Sequence, residues 1–256
     1  MKIALAQMDI VWEDPVANLK KINGFISDAS SHGCDLIIFP EMATTGFSMD
    51  VDKIGETING DSVKNLANHC VKFQINILIG LSIFDDTLKK GANSALFFNR
   101  DGEIKGEFVK LHPFSFAGED EHYKFGESTI VFDVDDISAS VFICYDLRFP
   151  EVFRSVAKDV QVIFVIANWP ASRIEHWTAL LRARAIENQA FVVGVNRVGT
   201  DGNDLAYNGK SAIIEPGGEI VLDAGTKEEL LIGNIDEGSV SSLRKRLPFL
   251  DDIKED

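Results

Sequence analysis

The sequence predicts an α/β fold with mixed sheets. Two observations carry this: apolar runs of strand length alternate with amphipathic runs of helical length, and pairs of strand-like runs are joined by short turn sequences. Alternation favours parallel strands joined by helices, whereas hairpins require antiparallel pairs, so the sheets should not be purely parallel. The 256 residues contain no repeat, no low-complexity linker and no break in composition, which predicts one domain over 1–256.

Lys2–Met8 alternates and reads as the first strand. Asp14-Pro15 then opens a helix, with Asp14 as N-cap and Pro15 at the first helical position, where a missing N–H leaves no bond unmade. Val16, Leu19, Ile22 and Ile26 fall on one face of that helix, and Gly33 ends it. Asp35–Phe39 is a short apolar strand closed by Pro40, with Glu41 directly after. A helix around Ser62–Phe73 precedes a strand at Ile75–Leu81. Asn93–Phe98 and Glu103–Val109 form a hairpin about Asn99-Arg100-Asp101-Gly102. Residues 111–128, LHPFSFAGEDEHYKFGES, are a long polar and aromatic loop, a length that points to function inside a compact domain. Thr129–Val134 and Ile137–Ile143 are strands, Pro150–Ala157 a helix, and Val160–Ile166 a strand ending in Asn168-Trp169-Pro170. Arg173–Asn188 is a helix with Trp177, Leu180, Leu181 and Ala185 on one side. Ala190–Val195 is a buried strand. Ser211–Ile214, Glu219–Leu222 and Glu229–Asn234 are the last strands, with Pro216-Gly217-Gly218 as a hairpin turn, and Arg244–Phe249 heads a charged tail.

Composition narrows the function. The chain is 45% hydrophobic and 25% charged, enough for a sizeable core. A net charge of −15 argues against a nucleic-acid surface, which needs clustered Lys and Arg. Cys34, Cys70 and Cys144 cannot all pair, and their spacing fits neither a zinc site nor a disulfide framework, so a reducing cytosol is the expected setting. The start, MKIALAQMDIVWEDP, does not read as a signal peptide, because its apolar segment is short and interrupted by Asp9, Glu13 and Asp14. No run approaches membrane-spanning length. His32, His69, His112, His122 and His176 lack ligand spacing, so no metal is expected and each should be a surface or hydrogen-bonded residue.

The chemistry centres on VFICYDLRFPE, Val141–Glu151. A buried strand ends abruptly at Cys144, and Pro150 opens a helix, so Cys144 sits at a sharp strand-to-helix corner. Such a corner can lift a nucleophile out of a sheet and aim the following N–H groups at a developing negative charge. Glu41 and Lys110 also follow strands abruptly, and ligand sites in α/β sheets gather beyond strand ends. A carboxylate can act as base for a thiol, and an ammonium can hold an oxyanion, so Glu41, Lys110 and Cys144 together suffice to hydrolyse a C–N bond. Taken singly, each also has a structural reading: Glu41 as a loop cap, Lys110 as a solvated cation, Cys144 as a core thiol.

FPEMATTGF at Phe39–Phe47, KLHPF at Lys110–Phe114 and CYDLRFPE at Cys144–Glu151 resemble the three signature blocks of the nitrilase superfamily. NWPASRIEHWTALLRARAIENQAFVVGVNRVG, Asn168–Gly199, resembles that superfamily's continuation, so the likeness runs through nearly the whole chain. Within it, the wording is most similar to the bacterial ω-amidases, which hydrolyse amides of the 2-oxoglutaramate type.

The resemblance implies a four-layer αββα sandwich, usually dimerised, that needs no cofactor. It implies Glu41 as general base, Lys110 as transition-state stabiliser, Cys144 as the acylated nucleophile and the Tyr145 backbone N–H as part of the oxyanion hole. It also implies a second glutamate in the loop after the lysine, Glu119, with Glu121 close enough in sequence to compete for the role. The substrate would be a small-molecule amide, a 2-oxo dicarboxylic acid monoamide such as 2-oxoglutaramate or 2-oxosuccinamate. Its carboxylate needs a cation. Arg173, just past Asn168-Trp169-Pro170, is the better candidate, and an ion pair with Asp146 or Glu151 is expected for Arg148. Phe114, Phe116, Tyr123 and Trp169 are candidates for the pocket wall, or equally for core or dimer contacts. Other readings of the same residues stay open: an N-carbamoyl amidase or nitrile hydrolase, a non-catalytic binding module, and a peroxide-sensing thiol.

Overall fold

The computed structural model describes residues 1–254. In the first half of the chain, β1 (Lys2–Gln7) leads into α1 (Pro15–Ser31) and β2 (Leu36–Ile38). A single turn, α2 (Val51–Ile54), and α3 (Asp61–Phe73) follow, then the meander β3 (Asn76–Asp85), β4 (Lys90–Phe98) and β5 (Ile104–Val109). After α4 (Glu119–His122) come β6 (Phe132–Val134), β7 (Ile137–Ile143), α5 (Pro150–Val156), β8 (Val162–Ala167), α6 (Ile174–Asn188) and β9 (Phe191–Asn196). A small ribbon of β10 (Val198–Thr200) and β11 (Ala206–Asn208) precedes β12 (Ala212–Ile214), β13 (Ile220–Asp223), β14 (Glu229–Asn234) and α7 (Glu237–Arg246).

Two six-stranded sheets result, ordered β14-β1-β2-β3-β4-β5 and β6-β7-β8-β9-β12-β13. Read in those directions, both run antiparallel, parallel, parallel, antiparallel, antiparallel. The parallel pairs are the ones joined through helices: β1-α1-β2 and β2-α3-β3 in one sheet, β7-α5-β8 and β8-α6-β9 in the other. Parallel neighbours cannot be joined by a tight turn, which is why the chain alternates at these points.

Strand periodicity sorts the core into layers. Ile3 and Leu5 of β1 face the core shared with the second sheet, while Ala4 and Ala6 face the helices. Ile22 and Ile26 of α1 with Val63, Leu66 and Cys70 of α3 cover that outer face. On the far side α6 lies close against β9: a Cβ on Gly194 would meet Leu181 at 2.5 Å and Trp177 at 2.8 Å. Between the sheets, Phe97 of β4 stacks on Phe132 of β6, with ring centroids 4.7 Å apart. The layer order is helix, sheet, sheet, helix, the sandwich the resemblance implies.

Some sequence expectations need correction. In α1 the Asp14 side chain accepts from the Ala17 N–H and Pro15 is the first helical residue, as read. The buried stripe, however, is Asn18, Ile22, Ile26 and Ala29, and Val16 is 80% exposed. Asn18 turns the stripe: its side chain is inside because it bonds the Val11 and Thr44 carbonyls and the Val11 N–H. Arg244–Arg246, expected to head a charged tail, are instead the last turn of α7, which is capped by Asp236 accepting from the Gly238 N–H, and Phe249–Asp252 form a 310 turn. The β10–β11 ribbon was not foreseen, and the loop after Lys110 contains a 310 turn at Ser115–Ala117 as well as α4. Among the described residues no helix is long and apolar enough to cross a membrane.

One buried group makes stability depend on pH. Burial on α3 pushes the Cys70 thiol up to about 12. An unfolded thiol titrates near about 8.5. Between those values the unfolded chain has lost a proton that the folded chain keeps, so stability falls as pH rises, by up to about 1.4 kcal/mol per unit. Tm should therefore decline from about pH 8.5 upward, and less steeply in Cys70→Ala once each curve is referred to its own value at neutral pH. Parallel curves would contradict the assignment.

Candidate active site

Four strand ends converge on one site. Glu41 follows β2 through Pro40, Lys110 follows β5, Cys144 follows β7, and Asn168 follows β8. Asn93 reaches the same place from within β4.

Glu41 is wholly buried. Its Oε1 accepts from Asn93 Nδ2 at 2.7 Å and from Lys110 Nζ at 2.9 Å. Its Oε2 accepts from the Asn168 N–H at 2.8 Å, and Asn168 Nδ2 donates to the Glu41 carbonyl at 2.7 Å. The turn carrying Glu41 lies flat against β3, where the Gly80 N–H donates to the Pro40 carbonyl and the Ala43 N–H to the Gly80 carbonyl. Only glycine permits this approach, because a Cβ there would lie 2.5 Å from the Glu41 Cα and 2.7 Å from the Met42 nitrogen.

Lys110 is equally buried, and its ammonium is shared between two carboxylates. Besides Glu41 it donates to Glu119 Oε1 at 3.1 Å and Oε2 at 2.8 Å. Glu119 also accepts from Asn93 Nδ2 at 2.8 Å and from the Phe114 N–H at 2.5 Å. Glu121 is exposed, so Glu119 is the glutamate of this loop that reaches the lysine. Burial opposes the Lys110 charge, but Glu119 and Glu41 outweigh it and raise its pKa. For Glu119 burial is the larger effect and raises the carboxyl, with Lys110 pulling the other way.

Cys144 adopts φ +47°, the left-handed region that costs a non-glycine residue about 1–2 kcal/mol. It opens a 310 turn, Cys144–Arg148, whose first N–H groups have no partner inside the turn. The Tyr145 N–H is one of them. The thiol lies 3.9 Å from the Asn168 carbonyl. Its pKa is pushed well up, first by burial and then by the Glu41 carboxylate, with Lys110 opposing. That direction favours the protonated thiol at neutral pH, so a base would have to take its proton for the sulfur to act as a nucleophile.

The cavity has a volume of about 530 Å³, with Cys144, Lys110 and Asn168 reaching it from the strand ends. Trp169, Arg148, Arg173 and Phe114 form one side, and Trp12, Asp201 and Tyr207 another. Arg148 makes no ion pair with Asp146 or Glu151, contrary to expectation. Asp146 is already engaged by His112 and the Ile143 N–H, and Glu151 is exposed. The Arg148 guanidinium instead lies over the Trp169 ring, 4.8 Å from its centroid, and near His176 Nδ1. Arg173 lies 5.6 Å from the Phe114 centroid, and its carbonyl accepts from Trp169 Nε1 at 2.8 Å. Among the described residues neither arginine is paired with a carboxylate.

Two expected wall residues are elsewhere. Phe116 is 89% exposed and does not line the cavity. Tyr123 is wholly buried outside it, its hydroxyl donating to the Ser48 carbonyl at 2.8 Å. Sequence reading missed Asn93 and Asn168 as partners of the carboxylates, and Trp12 and the β10–β11 ribbon as cavity wall. In sequence Asn93 opens the run Asn93–Phe98, whereas in the structure it lies within the longer β4, where a buried amide must find partners. Among the described residues no group of three or more His, Cys, Asp or Glu side chains is placed to hold a metal ion.

The close packing at Gly80 gives a direct test of the geometry. Gly80→Ala should push the Glu41 turn away from β3 and lower kcat/KM by roughly 10- to 100-fold, the scale on which small displacements of reacting groups act. Wild-type kcat/KM in that variant would show that the Glu41 position does not depend on this approach.

Comparison with known proteins identifies the family. The chain is 33% identical over 256 residues to the 2-oxoglutaramate amidase of Bacillus subtilis, covering 99% of this chain and 98% of that one. It is 36% identical over 256 residues to the Omega-amidase YafV of Escherichia coli K12, covering 100% and 97%. The crystal structure of XC1258 from Xanthomonas campestris, a CN-hydrolase superfamily protein with an arsenic adduct in its active site, superposes with a TM-score of 0.95 at 30% identity, covering 100% and 98%. The carbon-nitrogen hydrolase family model matches residues 2–245, and the chain belongs to that family.

Proposed function

We propose that this carbon–nitrogen hydrolase removes the terminal amide of a small 2-oxo dicarboxylic acid monoamide, such as 2-oxoglutaramate or 2-oxosuccinamate, through a thioester on Cys144. The carrying observation is the site itself: the Cys144 thiol beside a buried carboxylate–ammonium–carboxylate cluster, with two cavity-lining arginines that pair with no carboxylate among the described residues. The names of the relatives, an ω-amidase and a 2-oxoglutaramate amidase, point to the same substrate class.

In this reading Glu41 takes the thiol proton as the Cys144 sulfur attacks the amide carbon. The oxyanion is held by the Lys110 ammonium and the Tyr145 N–H. Protonated Glu41 returns the proton to the leaving nitrogen, the C–N bond breaks, and ammonia departs from the thioester. Glu41 then deprotonates water, the hydroxide adds to the thioester, and collapse expels the sulfur, which recovers its proton. Glu119 keeps Lys110 charged and in place throughout. Arg173 holds the substrate carboxylate, and Trp169, Arg148 and Phe114 complete that wall. A cytoplasmic homodimer is part of the same reading, supported by the family resemblance and by three free cysteines.

Ammonia release should be compared across 2-oxoglutaramate, 2-oxosuccinamate, glutamine, an N-carbamoyl amino acid, a nitrile and a neutral amide of matching length. The 2-oxo acid amides should give the highest kcat/KM. A charged hydrogen bond contributes about 1.5–3 kcal/mol, so Arg173→Ala should lower kcat/KM for them by roughly 10- to 150-fold. The neutral amide should lose far less, because it never uses the contact. Equal losses on both substrates would make Arg173 structural, and preference for a carbamoyl compound or nitrile would replace the substrate assignment.

A further inference from the structure

Lys110 and Cys144 must meet with little tolerance, yet they belong to different sheets. The Lys110 N–H donates to the Asn93 carbonyl at 2.9 Å, which fixes Lys110 to the first sheet, whereas Cys144 continues from β7 in the second. Among the described residues no strand of one six-stranded sheet pairs with a strand of the other, and apart from the Asp9–Val198 bridge beyond β1 and β9 the two loops depend on side chains to tie them together.

Asp146 makes such a tie. It is wholly buried, two residues past Cys144, and outside the cavity lining. Its Oδ2 accepts the N–H of Ile143, the residue before Cys144, at 3.1 Å. Its Oδ1 accepts the His112 N–H at 2.9 Å and lies 2.8 Å from His112 Nδ1, which must donate because a carboxylate only accepts. His112 is two residues past Lys110, and its ring lies flat on Phe149, with centroids 3.7 Å apart at 9°. The same 310 turn is held from α6, where Arg184 Nη2 donates to the Leu147 carbonyl at 2.7 Å. A left-handed residue such as Cys144 keeps its conformation only where its surroundings over-determine it.

We propose that Asp146, acting through His112, is a positioning residue that sets the Cys144 thiol against the Lys110 ammonium. One carboxylate binds both catalytic loops, so shifts of either loop are shared rather than opposed. Neither Asp146 nor His112 needs to touch the substrate, and the pair acts on the step that develops an oxyanion rather than on substrate capture. This rests on the amidase reading above; a wild-type protein that hydrolyses no amide would overturn that reading itself.

The test compares two replacements of His112, whose side chain is 29% exposed. His112→Phe keeps a ring for Phe149 but removes the donor; His112→Asn keeps a donor near the Nδ1 position. With the amide that the wild type hydrolyses best, His112→Phe should lower kcat by roughly 10- to 100-fold while KM changes little. Alkylation of Cys144 by iodoacetamide, followed on its own peptide, passes through no oxyanion and should keep its wild-type rate. His112→Asn should recover most of the lost kcat. Unchanged kcat in His112→Phe would overturn the proposal. So would parallel losses of kcat, alkylation rate and Tm, which mark general loosening, and so would equal losses in both variants. Asp146→Asn serves as a second probe through the same three measurements.

Discussion

Lys110 carries a charge almost wholly withdrawn from solvent, and the rest of the site is built to make that tolerable. Moving an ammonium out of water costs several kcal/mol unless its partners and hydrogen bonds are in place. Here Glu41 and Glu119 supply the opposing charges, and Asn93 donates to both of them. The participants come from β4, from the turn after β2, from the end of β5 and from α4, so the cluster forms only when the first sheet and its loops are assembled. Removing one member would leave a buried charge without compensation, which couples the fold to the chemistry.

The same cluster determines how the sulfur reacts. A thiolate beside Glu41 would add a negative charge to a site already holding two carboxylates and one ammonium. Burial and Glu41 accordingly hold the thiol in its protonated form. Cys144 thus differs from cysteines activated by a neighbouring cation into a standing thiolate. In the proposed reaction the proton leaves as the sulfur bonds to carbon, and the negative charge moves to oxygen, where the Tyr145 N–H and Lys110 would receive it. A site that keeps its nucleophile neutral also limits unproductive reaction with stray electrophiles.

Much of this was legible in the sequence because the candidate catalytic side chains sit where strands stop. Cys144 ends an apolar run, Glu41 follows one through Pro40, and Lys110 follows the strand Ile104–Val109 of the hairpin, so local pattern located them. Which partners would surround them was not legible, since contacts such as Asn168 with Glu41 span 127 residues and depend on how two sheets pack. Arg148 shows the limit well. Its neighbours in sequence suggested an ion pair, but Asp146 was committed to His112 across the sheets, which left Arg148 to the cavity. Asn18 shows the same effect in a helix, where a buried amide with three backbone bonds displaced the apolar stripe expected from periodicity. The β10–β11 ribbon was missed because each strand is three residues long and the intervening turn is polar.

The neutral thiol is the central claim, and thiolate absorbance in the ultraviolet measures it directly. The difference between wild type and Cys144→Ala, recorded across a pH series, isolates this one sulfur from Cys34 and Cys70. The account predicts no thiolate signal from Cys144 between about pH 6 and 8, with any signal arising only above the ordinary thiol value near about 8.5. A difference equal to one full thiolate at neutral pH would contradict it, and would make Glu41 unnecessary as the base that frees the nucleophile.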